Sequence, residues 1–258
     1  MLPQVRVRSP DCRVAAGPGY LRDTWSFDPS TAAWTSVGSS TGTRPGFGGY
    51  WKLAAAKGGD GRSRLYLHDG WGRHDPLWSF DPQTLVWTEI TVTVGVRPEG
   101  RRSHGWTGVG SKLYLFGGYD YLTNELWESR EMTNELWEFS TANASWAQLA
   151  TRPAARMRMC FGSSGGLIYL LGGVGGSYYS GGYLHRRDFW SYNPANDSWS
   201  ERTGSVTVEG SNLWPRYGGV LLDVAGELLL VQGIDPGIAP ILSRFWHQSA
   251  FLTNWLAR

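Results

Sequence analysis

The chain has 258 residues and a net charge of only +2, with 35 Gly and 15 Trp. That length allows one large all-β domain or two smaller ones. The near balance of charge gives no polyelectrolyte ground for nucleic acid or a membrane surface as partner, and abundant aromatics exclude the disorder that glycine richness alone suggests.

The opening stretch, MLPQVRVRSPDCRVAAGPGY, carries charge early and has no continuous apolar run, so it does not read as a signal peptide. No later segment offers the roughly 18 consecutive apolar residues of a membrane span. The expectation is a soluble, cytoplasmic protein. Cys12 and Cys160 lie far apart and form no metal-ligand spacing, so neither a disulfide framework nor a zinc site is expected.

The first recognisable element is DTWSFDPSTAAW, which closes on Trp34, nine residues after Trp25. The same interval separates Trp78 from Trp87, Trp137 from Trp146, Trp190 from Trp199 and Trp246 from Trp255. The first members recur after 53, 59, 53 and 56 residues, which is the self-similarity of a repeat architecture. Each phrase reads as a β-hairpin. In LWSF the Trp and the second aromatic stand at i and i+2 on one strand face, and Asp28-Pro29, Asp81-Pro82 and Asn193-Pro194 suit the first two positions of a type I turn.

Before each of the last four hairpins stands an apolar run closed by glycine: LYLHDG (65–70), LYLFGG (113–118), IYLLGG (168–173) and LLLVQG (228–233). Such runs read as buried strands with a sharp turn or a close backbone approach at the end. Further upstream lie RPGFGGYW, RRSHGWTG, RMRMCFGS and RYGGVLLD, each readable as one more strand. A unit is thus four short strands in about 50 residues, apolar on both faces, which only neighbouring units can cover. Radial packing of such sheets gives a β-propeller, with small residues toward the axis and the Trp pairs as the bulky filling. Its units are expected at 1–43, 44–96, 97–151, 152–209 and 210–258, all within one domain. For the incomplete first unit, either residues 1–22 supply worn first and second strands, with RVAAGPG (13–19) in the place of LYLFGG, or the chain is part of a larger ring; the five-unit ring is the expectation.

The succession RRSHGWTGVGSKLYLFGG, NELWEF and Trp146 resembles the kelch repeat family, as found also in the central domain of galactose oxidase. The resemblance implies an all-β, kelch-type propeller of about five four-stranded blades. It also implies that the loop between a blade's second and third strands shares a face with the loop linking successive blades. Departures from the pattern include Asp69 and Gln232 at the first glycine of the strand end, and Met159 for the His.

TNELWE occurs twice, at 123–128 and 133–138. Nine residues after Trp137 stands Trp146, whereas nine after Trp127 stands Leu136, so the second copy is the blade strand and the first is loop insertion. Loops absorb such length cheaply.

Candidate chemistry is sparse. HDGWGRHD gathers His68, Asp69, His74 and Asp75, but the spacing matches no metal cage and reads as a surface turn. The glycines of GGVGGSYYSGGYLHRRDF (172–189) lead into a strand, not the helix that a phosphate loop needs, so no nucleotide and no cofactor is expected. That same connection carries Tyr178, Tyr179, Tyr183, His185, Arg186 and Arg187, residue types frequent at binding sites, and Tyr119 and Tyr121 extend the candidate surface. Arg44, Arg101, Arg102, Arg156, Arg158 and Arg216 of the first strands are candidates to ring a channel mouth and attract an acidic peptide; bonding to adjacent blade backbone is the other reading. The expected activity is non-enzymatic: a monomeric scaffold binding a protein or acidic peptide through loops of one face. The alternative is a carbohydrate-active enzyme resembling galactose oxidase or a sialic acid epimerase, although no phrase here matches a copper ligand set.

Overall fold

A computed structural model describes residues 4–7, 24–37, 45, 51–68, 70, 76–92, 95–120, 132–177, 182–205 and 218–231. Blade 1 contributes β1 (Gln4–Val7), β2 (Thr24–Asp28) and β3 (Ala33–Ser36). Blade 2 is β4 (Lys52–Lys57), β5 (Ser63–His68), β6 (Leu77–Asp81) and β7 (Val86–Ile90). In blade 3, β8 (Arg101–Arg102) precedes β9 (Gly105–Val109) and β10 (Lys112–Phe116), then β11 (Tyr119–Asp120), β12 (Leu136–Ser140) and β13 (Ser145–Leu149). Blade 4 runs β14 (Cys160–Ser164), β15 (Leu167–Leu171), β16 (Val174–Ser177), β17 (Gly182–His185), β18 (Phe189–Asn193) and β19 (Ser198–Glu201). A short 3-10 turn follows at Thr203–Ser205. β20 (Val220–Val224) and β21 (Glu227–Val231) belong to blade 5.

Blades 2, 3 and 4 are four-stranded antiparallel meanders in sequence order, β4-β5-β6-β7, β9-β10-β12-β13 and β14-β15-β18-β19. This is the propeller-blade sheet that the repeat implied. Innermost strands adjoin from blade to blade, β4 against β9, β9 against β14 and β14 against β20. They approach so closely that a Cβ on Gly108 would overlap the Ala55 carbonyl and one on Gly162 the Leu221 carbonyl. Glycine is therefore required on these inner strands by contact between backbones rather than by a turn.

The hairpin register explains the nine-residue rule. Phe27 faces Trp34, Phe80 faces Trp87, Phe139 faces Trp146 and Tyr192 faces Trp199 across their strands. Their ring centroids lie 4.9 to 5.1 Å apart in all four, the spacing at which aromatic pairs stabilise beyond their buried area. Each aromatic set packs on the preceding blade. Trp137, Phe139 and Trp146 meet Ala54, Ala56, Tyr66 and Leu77 of blade 2, while Tyr192, Trp190 and Trp199 meet Tyr114, Phe116 and Leu136 of blade 3. Trp34 is the exception, 45% exposed. In the turns, Asp28 Oδ1 accepts from the Ser30 amide at 2.8 Å, and Asp81 and Asn193 repeat this toward Gln83 and Ala195.

One expectation needs correction. The strand paired with the blade 1 hairpin is Gln4–Val7, whose Arg6 stands opposite Trp25, and not the 13–19 stretch, which lies outside the described residues. The glycine-rich connection after β15 folds as the hairpin β16-β17, because Gly176 and Gly182 take left-handed conformations (φ +87° and +93°) flanking its tip. For the duplicated hexapeptide, β12 lies in the second copy; the first lies outside the described residues. So do Trp246 and Trp255, and Asp69, His74 and Asp75 of the histidine-rich turn.

Candidate functional site

Two kinds of loop meet on one face of the propeller. The Gly118 amide of a loop after a second strand donates to the Arg156 carbonyl of the next blade's entry segment at 2.9 Å, and the Arg156 amide donates to Thr133 O at 3.3 Å. A backbone chain continues across blades 3 to 5, with Arg158 N donating to Ser103 O at 2.8 Å and Gly218 N to Arg158 O at 2.6 Å. Met157 bridges Val174, and β8 pairs with β11. The described candidates Tyr119, Tyr183, Arg101, Arg102, Arg156, Arg158, Arg186 and Arg187 all stand on these loop segments. Arg44, Tyr121, Tyr178, Tyr179 and Arg216 lie outside the described residues.

Arg101 and Arg156 are buried inside their own blades. Arg156 forms a two-pronged pair with Asp188, Nη1 to Oδ1 at 2.6 Å and Nη2 to Oδ2 at 2.7 Å, and donates to the Gly172 carbonyl at 3.0 Å. The Trp190 indole N–H donates to Asp188 Oδ2 at 2.7 Å. Blade 3 repeats the arrangement: Arg101 Nη2 reaches Glu135 Oε2 at 2.7 Å, and Trp137 Nε1 donates to the same oxygen at 3.0 Å. Each acid also ties strand ends together, since Gly117 N donates to Glu135 O and Gly172 N to Asp188 O, both at 3.0 Å. These two arginines are structural clamps. Sequence reasoning missed their acids, although ELW and DFW both place one two residues before the Trp. Blade 2 has Pro76 at that position, and its Trp78 indole N–H is buried without a hydrogen-bond partner among the described residues.

The other candidates differ in access. Tyr119 is buried with Met157, Val174 and Met132, and the Arg102 guanidinium lies 5.1 Å from its ring centroid. Arg158 and Arg186 are half-buried, and Arg187 is exposed. Tyr183 and its neighbour Leu184, on β17, are 45% and 54% exposed. Leu184 had no sequence signal, since a lone Leu between Tyr and His does not announce its exposure.

Beneath this face sits a pair of buried histidines, His68 and His104, with ring centroids 4.7 Å apart. His104 Nδ1–H donates to the Arg101 carbonyl at 3.1 Å, while Nε2 is buried without a hydrogen-bond partner among the described residues. Burial, and then the neighbouring His68, Lys52 and Arg101, hold the His104 pKa well below 6.5. Folding therefore favours neutral His104. Stability is full above the unfolded value of 6.5 and falls as pH drops toward the folded value, by up to about 1.4 kcal/mol per pH unit. Met159 stands at the corresponding point of blade 4, directly before β14. His104→Met is thus expected to flatten the decline in urea midpoint between pH 7.5 and 5.5; a slope equal to the parent's would place the titrating group elsewhere.

A family model described as the KLHDC2/KLHL20/DRC7 Kelch-repeats domain matches residues 55–233. The chain belongs to the kelch-repeat family. Among its curated relatives, Kelch domain-containing protein 3 of Bos taurus is 27% identical over 243 residues, covering 84% of this chain and 56% of the relative. Tip elongation aberrant protein 1 of Schizosaccharomyces pombe is 28% identical over 188 residues, 70% of this chain and 15% of that protein. Host cell factor 1 of Rattus norvegicus is 37% identical over 60 residues, 22% of this chain and 3% of that protein. This kelch chain thus spans about half the length, or less, of these relatives. Among the described residues, no helix is long and apolar enough to cross a membrane.

Proposed function

We propose that this kelch propeller is a non-catalytic scaffold that holds a protein or peptide partner on the face formed by the entry loops and the loops after the second strands. The observation that carries this reading is the hairpin β16-β17. Strand β15 already pairs with β14 and β18, so the hairpin forms a separate two-stranded sheet that completes no blade. It nevertheless displays Tyr183 and Leu184 to solvent beside Arg186 and Arg187. Aromatic and Arg side chains concentrate at protein-binding sites, and loops carried on a rigid framework are the usual place for them. The arginines favour an acidic partner.

The test is a quantitative pull-down with the parent chain and a Tyr183→Ala/Leu184→Ala/Arg187→Ala variant of unchanged melting temperature. Proteins retained by the parent and lost at least about tenfold with the variant, a loss of about 1.4 kcal/mol, are the expected result. Retention unaffected by the variant, or oxidation of galactose or epimerisation of sialic acid by the purified parent, would overturn the scaffold reading.

A further inference from the structure

Among the described residues, three arginines that leave solvent are paired with an acid. Arg156 has Asp188, Arg101 has Glu135 and Arg64 has Asp60. Arg186, like the half-buried Arg158, has no such acid among the described residues. It is half-buried, its Nε is fully covered without a hydrogen-bond partner, and it forms no ion pair among the described residues. Asp188, two residues on in the chain, is engaged at both oxygens by Arg156, and its Oδ2 also accepts from Trp190. A guanidinium does not deprotonate in a protein, so partial burial cannot be relieved by loss of its proton. Charge in that situation favours an incoming anion, because the partner supplies the compensation that the fold withholds.

The position of the group is also fixed. The Arg186 amide donates to the Gly173 carbonyl at 2.9 Å, which pins the base of the side chain at the foot of β17. The Nε–Nη2 edge of the guanidinium then faces Gly175, where an added Cβ would stand 2.7 Å from Nε and 2.9 Å from Nη2. Gly175 does not have a positive φ, so no turn demands glycine there. Its missing side chain is the floor on which the guanidinium rests. Exposed Arg187 adds a second cation, and Tyr183 and Leu184 add apolar surface on the adjoining strand.

We propose that Arg186, seated on Gly175, is the receiving site for a side-chain carboxylate from an acidic, partly apolar segment of a protein partner. This inference rests on the scaffold reading above and specifies the chemistry of its contact. The guanidinium fork offers paired N–H donors in the geometry of a carboxylate, Arg187 supplies long-range attraction, and Tyr183 and Leu184 cover the apolar residues beside the acid.

The probe is a fluorescein-labelled, C-terminally amidated peptide of alternating Glu and Leu, followed by fluorescence anisotropy against the full chain. The parent is expected to bind it and not the matching Lys–Leu peptide. Arg186→Gln and Gly175→Ala are each expected to weaken binding about tenfold or more, and Arg187→Gln about threefold. Gly175→Ala keeps every charge and displaces chiefly the guanidinium, with the Ala155 carbonyl 3.1 Å from the new Cβ, so it separates position from net charge. Arg186→Lys, which preserves charge without the fork, should restore only part of the affinity. Melting temperatures of all variants identify any that have merely unfolded, in which case the remaining variants carry the test. The proposal is overturned if the parent ignores the Glu–Leu peptide, if Arg186→Gln and Gly175→Ala bind like the parent, or if millimolar inorganic phosphate displaces the peptide completely. Should pull-down partners depend on Tyr183 and Leu184 but survive Arg186→Gln, the carboxylate site falls while the scaffold stands.

Discussion

Asp188→Ala is expected to lower the stability of the chain by about 3 to 5 kcal/mol at pH 7, the range for removing one partner of a buried ion pair. Arg156 has no exposed surface, and Asp188 is its carboxylate at two points. Without it, the guanidinium retains the Gly172 and Ala154 carbonyls, which satisfy N–H groups but do not neutralise the charge. The Trp190 indole loses its acceptor in the same stroke. A denaturant titration should show a lower midpoint at unchanged slope, since the blades themselves persist. The pH dependence provides an internal check. Burial pushes the Asp188 pKa up, but the Arg156 hydrogen bonds and charge and the Trp190 N–H outweigh it and hold the group below 3.8. Its stabilising contribution is therefore present above the unfolded value and disappears as pH falls through the lower folded value. Parent and variant should converge at strongly acid pH. A gap that stayed constant from pH 7 to below pH 3 would mean that packing, and not the ion pair, was removed.

How far the sequence disclosed this depends on the kind of signal. The tryptophan interval was legible because a hairpin imposes it: Phe80 opposite Trp87 and Phe139 opposite Trp146 occupy one register in their blades, so the spacing is geometry written directly into the chain. The shared face of the two loop classes followed from the resemblance, and the Gly118 to Arg156 hydrogen bond supplies its physical form. The partition among the arginines was not legible. Arg101 and Arg102 are neighbours in one short strand, yet the first enters the blade to meet Glu135 while the second lies over Tyr119. The direction of Arg101 depends on an acid more than thirty residues away and that of Arg102 on the ring of Tyr119, and residue type alone does not encode that. Gly175 was equally silent, one glycine among many until Arg186 is seen resting on it.

Trp137→Ala is expected to cost about 3 to 5 kcal/mol, because truncating a buried Trp removes its transfer energy and leaves a cavity that neighbours fill only in part. The cavity lies between sheets: Ala54, Ala56, Tyr66 and Leu77 belong to blade 2, and Trp106, Leu113 and Phe139 to blade 3. Small alanines opposite the indole cannot advance to close it, and the inner strands already touch at Gly108 and Ala55. Replacement by Phe separates bulk from polarity. Trp137→Phe keeps most of the apolar contact but strips Glu135 of a donor, so a loss of about 1 to 2 kcal/mol is expected. Trp78→Phe should be close to neutral, since the Trp78 N–H is buried with no partner among the described residues and its removal ends a desolvation penalty while some ring area is lost. The difference between the two Phe variants, read from thermal and urea unfolding, isolates the acid that blade 3 possesses and blade 2 replaces with Pro76. Equal losses would show that the indoles act through size alone and that the acid before each Trp serves the arginine only.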